Sequence, residues 1–251
     1  MSIVKVGILG SRELACKITK WIIDTGSVNI VGAIPPPFKG WWDDNYRNVL
    51  VENGIKVFDE VEQLIEEKPD IIFSINYWKT ISGENIKEVP LGIVNIHHSY
   101  LLKYKGRYST SWAIMNARKL NCWEHGSTLH LIDKKLDEGK IIDSWKCEIT
   151  ENDTAETLFE KVEQLSIEMF KANFKRILNG NTPFLNPDLN SFFYGKESNN
   201  IEIPNNSSIE EIYDFVRAWT FKDRPKPFFS YNGKKIRVFI DDDSEGNKIF
   251  C

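Results

Sequence analysis

Short apolar runs alternate with helix-period stretches through the first third of the chain, and this alternation restricts the fold more than any other feature. Ile3 to Leu9 is an apolar run ending in Gly10-Ser11, and Glu13 to Asp24 then keeps Leu14, Ile18, Trp21 and Ile22 near one helical face. Val28 to Ile34 reads as a second strand and Tyr46 to Asn53 as a helix ended by Gly54. Asp59 to Glu67 reads as another helix, and Asp70 to Ile75 as a buried strand bounded by Lys68-Pro69. Strands that alternate with helices need crossover connections, so an α/β fold with a parallel sheet is expected.

Gly92 to His97 predicts a further strand, Thr110 to Ala117 a helix, and Ser127 to Leu131 and Lys140 to Ile149 two more strands. Thr154 to Leu178 predicts a long amphipathic helix, with capping side chains and acids at its start and Asn179-Gly180 as its stop. A catalytic-size domain over residues 1–180 is therefore expected. Residues 181–206, rich in Asn, Pro, Ser and Gly but carrying Phe184, Phe192, Phe193 and Tyr194, read as a packed, irregular connector. A small α+β unit over 207–251 follows: a helix from Ser208 to Trp219 with a Ser208/Glu211 capping box, then strands at Phe228–Tyr231 and Lys235–Phe239 flanking Asn232-Gly233.

A net charge of −4 argues against a dedicated nucleic-acid binder, which would present a basic face. The start at Met1 leads directly into a strand-like run, and no apolar run approaches the roughly 18 residues of a membrane helix, so a cytoplasmic protein without a membrane span is expected. Cys16, Cys122, Cys147 and Cys251 are scattered without a Cys-x-x-Cys pair and read as reduced thiols.

The opening turn Gly7-Ile-Leu-Gly10-Ser11-Arg12 lacks Gly-x-Gly-x-x-Gly, and the second strand ends in Gly32-Ala-Ile-Pro with no acid for a ribose, so nicotinamide chemistry is disfavoured. The turn can still offer N–H groups to an anion at a helix start. No Gly-x-Ser-x-Gly elbow supports a serine hydrolase, and the four histidines show no metal-ligand spacing, so no metal is implied. His98, His125 and His130 read as ordinary hydrogen-bonded or exposed residues. Asn95 and His97, two apart on a strand, leave it on one face while Ile96 points the other way.

In order, the chain contains Asn95-Ile-His97-His-Ser99-Tyr-Leu101-Leu-Lys-Tyr104-Lys-Gly106-Arg, Trp112-Ala-Ile-Met-Asn116, His125-Gly-Ser-Thr128-Leu-His130 and Asp137-Glu-Gly139-Lys-Ile141-Ile. This series resembles the folate-dependent formyltransferases, and among them nucleotide-sugar N-formyltransferases most. The resemblance implies a Rossmann-like, mostly parallel sheet with helices on both faces. It also implies formyl transfer from 10-formyltetrahydrofolate to an amine, with Asn95, His97 and Asp137 as the catalytic triad. Attack by an amine creates a developing oxyanion that the Asn95 amide and a protonated His97 could stabilise, while Asp137 orients the imidazole. Trp78, Lys79, Thr80 and Ile81 then fall where the folate pocket is lined, with Ile132, Asp133 and Leu136 near the pterin. His98 and Tyr100 stand where proline and leucine are common in the family.

The segment Arg217-Ala-Trp219-Thr-Phe221, with Pro225 and Pro227-Phe228-Phe229, resembles the compact C-terminal part of sugar N-formyltransferases. The expected acceptor is a dTDP-linked 4-amino-4,6-dideoxy sugar for surface polysaccharide (O-antigen), with methionyl-tRNA, glycinamide ribonucleotide or a non-catalytic binder as alternatives. Ser11, Arg12, Lys79 and Arg107 are candidates for the pyrophosphate, and Trp41, Trp42, Tyr108, Trp219 and Phe221 for stacking on base or sugar. A homodimer is expected.

Overall fold

In the computed structural model of the chain, residues 3–37, 45–180, 182–186, 191–194, 200–222 and 224–240 are described. A six-stranded sheet organises them. Strand β1 (Lys5–Gly10) lies between β2 (Asn29–Ile34) and β3 (Ile71–Ile75), and β4 (Ile93–His97) pairs with β3, all in parallel. Strands β6 (Glu124–Leu131) and β7 (Ile141–Glu148) then add antiparallel to the edge beyond β4. The expected mostly parallel sheet is present, extended on one side by a hairpin-like pair.

Side-chain alternation sorts the core into two layers. Val6, Ile8, Phe73, Val94 and Ile96 pack with helix α1 (Arg12–Thr25), α2 (Tyr46–Glu52) and the long α6 (Ala155–Leu178) on one face. Leu9, Ile72 and Ile93 pack on the other with α3 (Val61–Glu66), together with residues near α4 (Gly83–Lys87). Asn95 and His97 share the parity of Ile93, so the strand period directs them to this second face. Helix α1 exists because Leu14, Ala15, Ile18 and Ile22 form a buried stripe, and it stops where Gly26 adopts φ 57° and its N–H caps the Ile23 carbonyl. No helix among the described residues is long and apolar enough to cross a membrane. Cys16, Cys122 and Cys147 are free thiols, and Cys251 lies outside the described residues.

Two regions differ from the sequence expectation. Helix α4 and the short 3₁₀ turn Tyr100–Leu102 have too few residues to show a period. The connector is partly regular: β8 (Phe192–Tyr194) pairs in parallel with β5 (Tyr104–Gly106), and Tyr194 stacks on Trp112 of α5 (Ser109–Ala117) with ring centroids 4.1 Å apart.

Helix α7 (Ile209–Ala218) carries the expected box: Ser208 Oγ accepts from Glu211 N–H while Glu211 accepts from Ser208 N–H. Its Phe215, Val216 and Ala218 join Ile114, Ala117, Leu158 and Val162 in one cluster. Arg217 is fully buried there. Its Nε donates to Asp214 (2.9 Å) and its Nη1 to the Thr150 and Asp153 carbonyls (2.9 and 3.0 Å), while Asp214 also accepts from Arg118 at 2.8 Å. Arg217→Ala leaves a cavity, takes the donor from the Thr150 and Asp153 carbonyls and leaves Asp214 to Arg118 alone, so it is expected to cost roughly 3 kcal/mol. Urea unfolding monitored by tryptophan fluorescence measures this, and a loss under about 1 kcal/mol would show that Asp214 finds solvent instead. Strands β9 (Phe228–Tyr231) and β10 (Lys234–Arg237) then form the expected hairpin at Asn232-Gly233.

Candidate active site

Asn95 and His97 reach the C-terminal end of β4, where β3 is parallel and β6 antiparallel to it. Register places His130 of β6 directly opposite Asn95. The chain then turns after β6 and returns Asp137, at φ 50°, beside both histidines: Oδ2 lies 3.8 Å from His97 Nδ1 and Oδ1 lies 3.8 Å from His130 Nε2. Gly106 N–H donates to Asp137 Oδ2 at 2.8 Å and anchors the carboxylate. The turn depends on Gly139, where an added Cβ would collide with the Leu131 carbonyl oxygen.

Hydrogen bonds to carbonyl oxygens, which only accept, determine which ring nitrogens carry protons. His97 Nε2 donates to the Tyr104 carbonyl at 2.7 Å, so Nδ1 is the nitrogen available for proton exchange, and it faces Asp137. His130 Nδ1 donates to the Leu131 carbonyl at 2.9 Å, which leaves Nε2 to accept from Asn95 Nδ2 at 3.1 Å. Burial pushes His130 down to about 4, against the opposing pull of Asp137, so the ring is neutral near pH 7 and its approach to Asp137 is not an ion pair. Asn95 thus has one N–H committed to His130 and a second left for a reacting group.

Sequence pattern marks His130 as an ordinary residue, and here the structure differs: it orients the Asn95 amide. The other two histidines are buried. His98 packs its ring 4.9 Å from Phe159 with Nε2 unpartnered, and the His125 ring meets the His98 backbone. Burial pushes both down to about 3.

One cleft of about 1090 Å³ gathers these groups. Asn95, His97, His130 and Asp137 lie in it together with Trp78, Lys79, Thr80, Ile81, Ile132, Asp133 and Leu136. Ser11, Arg12, Arg107, Tyr108, Trp219 and Phe221 line it as well. Trp41 and Trp42 lie outside the described residues. Not all of these groups have free valences: Ser11 Oγ donates to the Asn76 carbonyl at 2.6 Å, and Lys79 Nζ is held by both Glu60 oxygens at 3.0 and 3.1 Å. Asn76, within the segment that the family resemblance places at the folate pocket, also lines the cleft, as does Arg224, which no sequence motif points to and which lies 4.9 Å from the Phe221 ring centroid. Arg12, Asn76, Tyr108 and Asp137 are four of the nine non-glycine residues with positive φ among those described, so much of the backbone strain sits around this cleft. No cluster of metal-binding side chains occurs among the described residues.

Residues 53–173 match the family model described as Formyl transferase. These residues form a formyltransferase domain. This formyltransferase is 33% identical over 189 residues to the bifunctional polymyxin resistance protein ArnA of Wigglesworthia glossinidia brevipalpis. That match covers 74% of the chain but 28% of ArnA, so the formyltransferase spans little more than a quarter of that relative's length. It is 26% identical over 253 residues to methionyl-tRNA formyltransferase of Pediococcus pentosaceus, covering 92% of this chain and 75% of the other. Among solved structures, the N-formyltransferase of Helicobacter canadensis in complex with folinic acid and dTDP-3-aminofucose aligns with a TM-score of 0.76 at 27% identity, covering 93% of this chain and 86% of that one.

Proposed function

We propose that this formyltransferase moves a formyl group from 10-formyltetrahydrofolate to the amine of a dTDP-linked amino sugar destined for surface polysaccharide. The observation that carries the reading is the single cleft, which joins the Asn95, His97 and Asp137 cluster to an apolar wall and to arginines. The residues suit a folate: Trp78, Ile81 and Ile132 supply apolar surface, and the 132–137 turn supplies peptide groups of the kind a pterin's edge needs. The donor contributes an activated formyl carbon. The second Asn95 N–H and a protonated Nδ1 of His97 stabilise negative charge developing on the formyl oxygen, and Asp137 holds the imidazolium by charge. A proton leaving the amine can reach Asp137 directly or through water.

Similarity to the Helicobacter canadensis protein, which is bound to folinic acid and dTDP-3-aminofucose, supports a sugar nucleotide as acceptor. Arg12 and Arg107 suit its diphosphate, and Tyr108, Trp219 and Phe221 suit its rings. The resemblance to methionyl-tRNA formyltransferase supports a rival, which the net charge of −4 disfavours for a polyanionic acceptor. Incubation with the folate donor and a panel of 3-amino and 4-amino dTDP sugars, UDP-amino sugars, glycinamide ribonucleotide and charged tRNA discriminates them. A formyl mass gain on a dTDP sugar is the expected result, and transfer to tRNA alone would replace this reading by the rival.

A further inference from the structure

Glu163 lies on α6 one turn after Phe159, which lines the cleft, whereas Glu163 itself does not. The Arg12 guanidinium sits over the Phe159 ring, 6.0 Å from its centroid, on the side of the helix where Glu163 follows. Glu163 Oε1 and Nδ2 of Asn76, which sits at φ 56° just beyond β3, are both buried, and the Asn76 amide is the polar neighbour of the Glu163 carboxyl. Arg12 and Asn76 follow the C-terminal ends of β1 and β3. The chain passes from β1 to β2 on one side and later to β3 on the other, and the crevice at such a switch point is where open α/β sheets bind ligands.

Four groups act on the Glu163 carboxyl besides its burial. From α1, Arg12 and Lys17 favour its charged form and Glu13 opposes it, while the Asn76 amide favours the charged form from the end of β3. Lys17 is shared with Glu13 at 3.8 Å. His98, whose ring centroid lies 4.9 Å from that of Phe159, is neutral near pH 7. Burial outweighs the cations and pushes the Glu163 carboxyl up to about 7.

We infer that Glu163 is a proton-linked positioning residue: its carboxylate takes up one proton from solvent when a diphosphate settles against Arg12 and Asn76, and releases it when the diphosphate leaves. This rests on the reading of the acceptor as a nucleoside diphosphate sugar. The physical reason is competition for one guanidinium. While the cleft is empty, the carboxylate behind Arg12 is its counter-charge; an anion arriving at the front adds like charge close to a poorly solvated carboxylate, and protonation removes the repulsion. Linkage gives the sign. A ligand that raises the pKa of a group binds more weakly as pH climbs past the free value, by up to about tenfold for each pH unit that separates the free value from the bound one.

The test is calorimetry of the full chain with dTDP-glucose, whose diphosphate diester has no group titrating near neutral pH, in buffers of different ionisation heat. At about pH 7 the wild type should take up roughly half a proton per ligand, and its affinity should fall about three- to tenfold between about pH 6.5 and 8.5. Glu163→Gln should bind with a flat pH profile and no uptake, and Glu163→Asp should retain uptake. Equal uptake in wild type and Glu163→Gln, or none in the wild type, overturns the inference while leaving the acceptor reading intact. Failure of wild type to bind dTDP-glucose at any of these pH values removes the nucleotide-sugar reading and this inference with it.

Discussion

Asp137→Asn is expected to lower turnover by about a thousandfold or more while the fold is kept, and His97→Ala by a similar factor. Asp137 Oδ2 accepts the Gly106 N–H and faces Nδ1 of His97 at the same time. An asparagine keeps the shape but must turn either its oxygen or its NH₂ toward that position. With oxygen inward, the amide holds the turn but loses the charge that balances an imidazolium; with NH₂ inward, it opposes the Gly106 N–H as well. His97→Ala removes the nitrogen that faces the carboxylate, leaving Asn95 as the cluster's remaining neutral donor to the formyl oxygen. These interactions strengthen as charge develops, so the loss should fall on kcat, with the KM for the folate donor changed little. Single-turnover formyl transfer, paired with circular dichroism to check the fold, decides the matter. A near-wild-type rate in either variant would remove that residue from the chemistry.

The parts of this site differ in how visible they are in sequence, for physical reasons. The strand period alone puts Asn95 and His97 on one face, because alternation is a local property of extended chain. The parallel half of the sheet is visible for the same reason, since β-branched runs and helical stripes both repeat within a few residues. Asp137 reaches His97 only because β6 runs antiparallel to β4 and the chain then turns back over its end. No local pattern encodes that return; the ordered family motifs suggest it. His130 escapes notice because its role depends on the register that sets it opposite Asn95, and register between distant strands is a tertiary fact. Strands β5 and β8 have three residues each, too few for alternation to stand out, yet their pairing fixes Gly106 and so the Asp137 carboxylate. The positive φ of Tyr108 likewise follows from its surroundings, whereas Asn76 and Asp137 are residue types that tolerate that region without requiring it.

The fold should lose stability steeply as pH drops below about 6.5, because it buries three histidines in neutral form. His98 and His125 are pushed down to about 3 and His130 to about 4, in each case chiefly by burial. The unfolded chain protonates all three near 6.5, so between that pH and the folded values it binds more protons than the native state, and stability falls with pH. Each histidine contributes a slope of about 1.4 kcal/mol per pH unit. Glu163 works the other way: raised to about 7, it holds a proton in the folded state that the unfolded chain releases until the ordinary value of 4.5 is reached. Three slopes against one leave about 3 kcal/mol per pH unit, or about 5 kcal/mol between 6.5 and 4.5, comparable with the whole stability of many domains. Thermal melts over this range should show a large fall in Tm, steeper in Glu163→Gln, where the opposing proton is gone. His125→Phe removes one titrating ring from a site that lies against Tyr104, so it should flatten the decline by about half of the net slope. A Tm unchanged from neutral pH to about 5 would mean that these rings are already open to water and protons in the native state.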